Sequence, residues 1–130
     1  NILTYDLSAN PIAIGDQDFL SFFLDITDDP DKYDGKEVNL VGQIRYEDAD
    51  SLRVGRTVMT CCMADLQFMS VEFTAAAPEA VQNGWVTMEA QGRLEQNHHG
   101  QMVLRLAPWH MPPAAAPDSG ILIAGSTSMS

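Results

Sequence analysis

The chain has 130 residues, 45% hydrophobic and 8% aromatic, enough apolar surface for one folded domain with a core of its own. Seven Lys plus Arg against eighteen Asp plus Glu leave a net charge of -11, which repels phosphate backbones and anionic lipid and argues against a nucleic-acid partner. No apolar run approaches the ~18 residues of a membrane helix, so direct membrane insertion by this segment is not expected. The start at Asn1 reads as a domain cut or processed from something longer.

Taken in order, Ile2 to Leu7 and Ile12 to Ile14 have the composition of short strands, separated by the turn-like Ser8-Ala9-Asn10-Pro11, so residues 1–13 form an N-terminal strand or linker. Asp16 is placed to cap a helix in which Phe19, Phe22, Phe23 and Ile26 recur at the spacing of one buried face. The helix should stop near Asp28-Asp29-Pro30, because proline disfavours helical geometry in the residue before it. The acidic residues Asp25 to Asp34 lack the glycine position and closing glutamate of a calcium loop and read as a solvated segment.

From Glu37 the apolar period changes to two, through Val38, Leu40, Gly42, Ile44 and Tyr46. Further strands are predicted over Val54 to Thr60, Leu66 to Thr74, Trp85 to Glu95 and Met102 to Trp109, with room for a short helix over Ala75 to Asn83 between the third and fourth. The expected fold is mainly β: a five-stranded OB-like Greek-key barrel over residues 14–110, carrying the N-terminal amphipathic helix outside. A sandwich or another small barrel fits the same spacing. Residues 111–130, rich in Pro, Ala and Ser, form a C-terminal arm in which Ile121-Leu122-Ile123 has the makings of a docked strand.

Chemistry concentrates at Cys61 and Cys62, the only two cysteines, with Asp65 three and four residues on. Successive strand side chains point to opposite faces, so the pair can act together only if the strand breaks there. A turn at Met63-Ala64-Asp65 would bring one thiol to the Asp65 carboxylate, and a bulge could bring the second thiol round. Thiolates and a carboxylate suit Zn, or Cu(I) for the softer donors, but Cys61, Cys62 and Asp65 leave a metal shell incomplete. His98, His99 and His110 are the imidazoles available, none at a recognised ligand spacing. Three readings stay open at the pair: metal binding, a vicinal thiol-disulfide role, and packing. Trp85 and Trp109 read as core or rim packing. No nucleophile elbow or phosphate loop is present in the sequence, and no enzyme activity is expected.

The runs Asp16-Gln17-Asp18-Phe19-Leu20, Pro30-Asp31-Lys32-Tyr33-Asp34-Gly35-Lys36 and Val41-Gly42-Gln43-Ile44, with Arg56 through Asp65 as R-x-x-x-x-C-C-x-A-D, resemble the soluble C-terminal domain of the YcgQ-like permease-subunit family. Trp85-Val86 and Gly92-Arg93-Leu94 resemble a later family strand, while Leu66-Gln67-Phe68-Met69 and Pro112-Pro113-Ala114 depart from the pattern. The resemblance implies a non-enzymatic accessory domain, outside the cytoplasm, of a membrane-anchored protein paired with a membrane permease and associated with metal homeostasis. It also makes Cys61, Cys62 and Asp65 the residues to test. The alternatives are a redox protein using Cys61 and Cys62, and a structural interaction module without metal.

Overall fold

In the computed structural model, which describes residues 3–48, 51–61, 63–74 and 83–124, the chain is mainly β. Seven strands among the described residues form one sheet: β1 (Ile12–Ile14), β2 (Glu37–Asp48), β3 (Ser51–Met59), β4 (Leu66–Glu72), β5 (Trp85–Gln96), β6 (Met102–His110) and β7 (Ile121–Ile123). The path β4-β3-β2-β5-β6 is antiparallel throughout, with β1 added parallel to β2 and β7 parallel to β3. Among the described residues no ladder closes the sheet. Its outer strands meet at an isolated parallel bridge between Phe73 and Leu106, beside a 2.9 Å bond from Thr74 N to the Leu106 carbonyl. β1 and β7 lie outside the five strands that alternation predicts and fall on the two short apolar segments, Ile12–Ile14 and Ile121–Ile123, that composition marks as candidate strands.

The alternating pattern sets the core. Val38, Leu40 and Ile44 of β2, Val54 and Val58 of β3, Val86, Met88 and Ala90 of β5, and Leu104 and Leu106 of β6 are buried on one side of the sheet. Two glycines permit close backbone approaches: a Cβ on Gly55 would fall 2.1 Å from the Met69 carbonyl of the neighbouring strand, and one on Gly92 2.4 Å from the Tyr33 carbonyl.

The α-helix α1 (Phe19–Asp28) lays Phe19, Phe22 and Ile26 into this core, with Phe23 half-buried beside them. Its cap lies two residues later than expected. Asp18, not Asp16, occupies the N-cap position, and its carboxylate accepts from the Gly15 amide at 2.9 Å and from the Thr4 hydroxyl at 2.6 Å. Pro30 ends the helix and opens a 3-10 turn, Pro30–Tyr33.

That corner holds a buried polar cluster. Asp25, 2% exposed, accepts from the Tyr33 hydroxyl at 2.6 Å and from Lys32 Nζ at 2.9 Å, and Tyr5 shares a 2.5 Å hydrogen bond with Tyr33. Burial pushes the Tyr5 phenol up to about 12, and burial with the Asp25 carboxylate drives Tyr33 higher still. The acidic run is thus partly structural, with Asp25 its buried member. Residues 3–11 carry no strand, so the N-terminal strand is β1, whose Ile12 and Ile14 lie in the core. The short helix expected over Ala75 to Asn83 falls on 75–82, outside the described residues.

Candidate functional site

The strand break required at the cysteines is present. β3 ends at Met59, the chain bends through Thr60 and Cys61, and a 3-10 turn over Met63–Asp65 feeds β4. The turn brings the Asp65 carboxylate back to the strand end: Cys61 Sγ donates to Asp65 Oδ2 at 3.6 Å, and the Thr60 hydroxyl donates to the same oxygen. Cys61 is exposed, so these groups form an open rim at the tip of the β3-β4 hairpin. Cys62 lies outside the described residues.

The imidazoles do not join this rim as a set. The His98 and His99 rings lie 4.1 Å apart, tilted by 44°, in the β5-β6 turn. His98 lines an open groove of about 1000 Å³ with Arg53, Glu72 and Arg105. Arg53 pairs with Glu72 in the β3-β4 register, whereas Met59 pairs with Leu66 beside the cysteine tip. Six ladder steps separate those levels, roughly 20 Å at ~3.3 Å per residue. His110 stands 3.9 Å from the Glu89 carboxylate. Among the described residues no three His, Cys, Asp or Glu side chains gather as a metal shell.

The groove itself lies along the unclosed seam between β4 and β6, floored by Phe23, Ile26, Val71 and Leu104. Its cations are already engaged. Arg105 binds Glu72 and, at 2.6 Å, Glu95, while Arg53 Nε donates to Ser70 Oγ at 2.6 Å.

A second feature adjoins the cysteine tip, and the sequence reading passed over it. Arg56 alternates with Val54 and Val58 on the buried side of β3 and is 1% exposed. It sits where β2 leaves β3: residues 37–43 of β2 pair with β5, residues 43–48 with β3, and beyond Gly55 the edge of β3 passes to β7. There the guanidinium joins the end of β1 to the start of β7. Nη1 contacts Asp16 Oδ1 at 2.6 Å, Nη2 donates to the Ser119 carbonyl at 3.2 Å, and the group lies 5.1 Å from the Trp85 ring centroid. The signal was legible, since an arginine between two valines at alternating spacing faces the core. Trp85 is accordingly half-buried, whereas Trp109 is 54% exposed and packs less than expected.

Among the described residues no helix is long and apolar enough to cross a membrane. Residues 2–111 match the family described as the DUF1980 C-terminal domain, a family of unknown function. No curated protein matches the sequence. A solved structure of a replication protein A heterotrimer bound to single-stranded DNA is similar at 16% identity and a TM-score of 0.35, over 62% of this chain and 58% of that one. At that similarity it bears on neither ligand nor partner. The matched span covers most of the chain, which belongs to the DUF1980 C-terminal domain family.

Proposed function

We propose that this member of the DUF1980 C-terminal domain family is a non-enzymatic binding domain that takes a transition metal, Zn²⁺ or Cu(I), at the tip of the β3-β4 hairpin, through Cys61, Asp65 and Cys62. One observation carries the reading. Two donors on a tetrahedral zinc, about 2.3 Å away for sulfur and about 2.0 Å for oxygen, stand about 3.5 Å apart. Cys61 Sγ and Asp65 Oδ2 are already 3.6 Å apart with a proton between them. Zn²⁺ replacing that proton would balance the thiolate and the carboxylate together, Cu(I) only one of them, and the Thr60 hydroxyl, which donates to the same Asp65 oxygen, would help to orient it.

The wider setting is read the same way. The strand path and the parallel Phe73-Leu106 bridge support a partly open OB-like barrel. The resemblance of Arg56 to Asp65 and its companion runs supports an extracytoplasmic accessory domain of a membrane-anchored protein that works beside a permease. A redox role for the cysteines fits less well, because oxidoreductase pairs are usually separated by two residues.

Titration of the reduced chain with Zn²⁺ and with Cu(I), beside Cys61→Ser, Cys62→Ser and Asp65→Ala, tests the site. Affinity should fall at least about tenfold in each variant. Equal affinity in all four proteins, with their folds intact, removes the metal reading and leaves the interaction module.

A further inference from the structure

Arginine stands opposite arginine twice on the outer face of the sheet, in a chain whose net charge is -11. Arg45 of β2 faces Arg53 of β3, and Arg93 of β5 faces Arg105 of β6. All four alternate with buried neighbours, among them Ile44, Val54, Gly92 and Leu104, so they lie on the side away from the core. Like charges directly opposite one another destabilise a ladder. Glu72 lies opposite Arg53 and bonds Arg105 across the seam, and Glu95 adds a second contact to Arg105. Arg45 and Arg93 have no salt bridge among the described residues. Arg45 lies over the Phe68 ring at 4.0 Å, and its buried Nε has no hydrogen-bond partner there. Four of the seven cations in the sequence thus form one belt, two of them with no carboxylate to hold them among the described residues.

The belt crosses the groove between β4 and β6, whose walls are the edges of the two end strands of the path. Phe73 N bonds the Leu52 carbonyl, and the Leu106 carbonyl accepts from Thr74 N. By alternation, Ser70 turns its main-chain groups away from β3 into the groove, and Leu104 and Met102 turn theirs toward it from β6. The Ser70 carbonyl is taken by Arg53 Nη2 at 3.1 Å. The β6 edge at Met102 and Leu104 has no ladder partner among the described residues, and Met102 is 50% exposed. An open strand edge is a template for an extended chain.

We propose that the groove takes an extended segment of a partner protein in which apolar and acidic residues alternate, added as a strand beside Met102 to Arg105. Side chains of such a strand point alternately to two faces. Those level with Met102 and Leu104 meet the floor of Phe23, Ile26 and Val71, and those level with Val103 and Arg105 meet the arginine belt. The edge selects an extended main chain, and the belt selects the sign of its charge. A nucleic acid has no main-chain amides to pair with β6, and the charge of the whole chain repels it.

Fluorescence anisotropy of the full chain with a dye-labelled peptide of about eight residues alternating Val and Glu tests this. The controls are a Val-Lys alternation, the same Val and Glu residues arranged in two blocks, and oligothymidine. The alternating Val-Glu peptide should bind at least about tenfold tighter than each control, and less tightly as salt is raised. Arg93→Glu, a change at an exposed position, should weaken that binding about tenfold, and Met102→Asp should weaken it as well. No binding of the alternating peptide, or equal affinity for the block peptide, overturns strand addition. Equal affinity for the Val-Lys peptide, or unchanged affinity in folded Arg93→Glu, overturns the part played by the belt. Tighter binding of oligothymidine overturns the choice of partner.

Discussion

Two buried charges hold this domain together in opposite ways. Asp25 finds its partners seven and eight residues along the chain, in Lys32 and Tyr33, and so fixes one local corner between α1 and the following turn. Arg56 reaches forty residues back to Asp16 and sixty-three forward to Ser119, and its Nε, also buried, has no hydrogen-bond partner among the described residues. A local cluster can be satisfied as the helix forms. A long-range one forms only when three distant segments have arrived, and it therefore controls how those segments sit rather than any single element. Burying either charge brings desolvation as well as attraction, so each is better viewed as specifying an arrangement than as a source of net stability.

The comparison is broken most forcefully by Arg56→Ala. Loss of a large buried side chain should destabilise the domain by about 3–4 kcal/mol in denaturant unfolding. Limited proteolysis should then cut the connector to β7, residues 115–118, because the arm has lost its clasp. Asp25→Ala should cost about 2–3 kcal/mol by leaving the Tyr33 hydroxyl without its acceptor, while the arm stays protected. Equal exposure of the connector in both variants would erase the distinction between local and long-range roles.

Smaller effects sharpen the local side. Tyr33→Phe should cost about 1–2 kcal/mol. Alkaline pH probes the same cluster. Both phenols are raised in the fold, Tyr5 to about 12, so the neutral forms are favoured there. Their contribution is complete below the unfolded value of about 10 and is lost as pH rises toward the folded values. Urea unfolding should show stability falling above about pH 10, and the fall should flatten in the Tyr5→Phe, Tyr33→Phe double variant. Smallest of all, Cys61→Ser should leave stability within about 0.5 kcal/mol, since the thiol is exposed.

How much of this was legible depends on the range of the interaction. The helix face Phe19, Phe22, Ile26 and the alternating runs of β2 to β6 declare themselves within a dozen residues, because period and burial are local matters. Strand alternation made a turn at Met63–Asp65 the condition for the cysteines to act together, without requiring that they do, and the structure has that turn. The role of Asp16 was misread for the opposite reason: next to a helix start it looks like a cap, and only the tertiary fold shows that Arg56 claims it. Ser119 offers no sequence signal, since it contributes a backbone carbonyl. The separation of His98 and His99 from the cysteine tip likewise follows from strand register.

The central claim, a metal held by the β3-β4 tip, is tested most directly by X-ray absorption at the zinc edge of the reduced chain loaded with one equivalent of Zn²⁺. The account predicts sulfur scatterers at about 2.3 Å together with oxygen near about 2.0 Å, with the sulfur shell diminished in Cys61→Ser. A first shell of oxygen and nitrogen alone, unchanged in that variant, would contradict it.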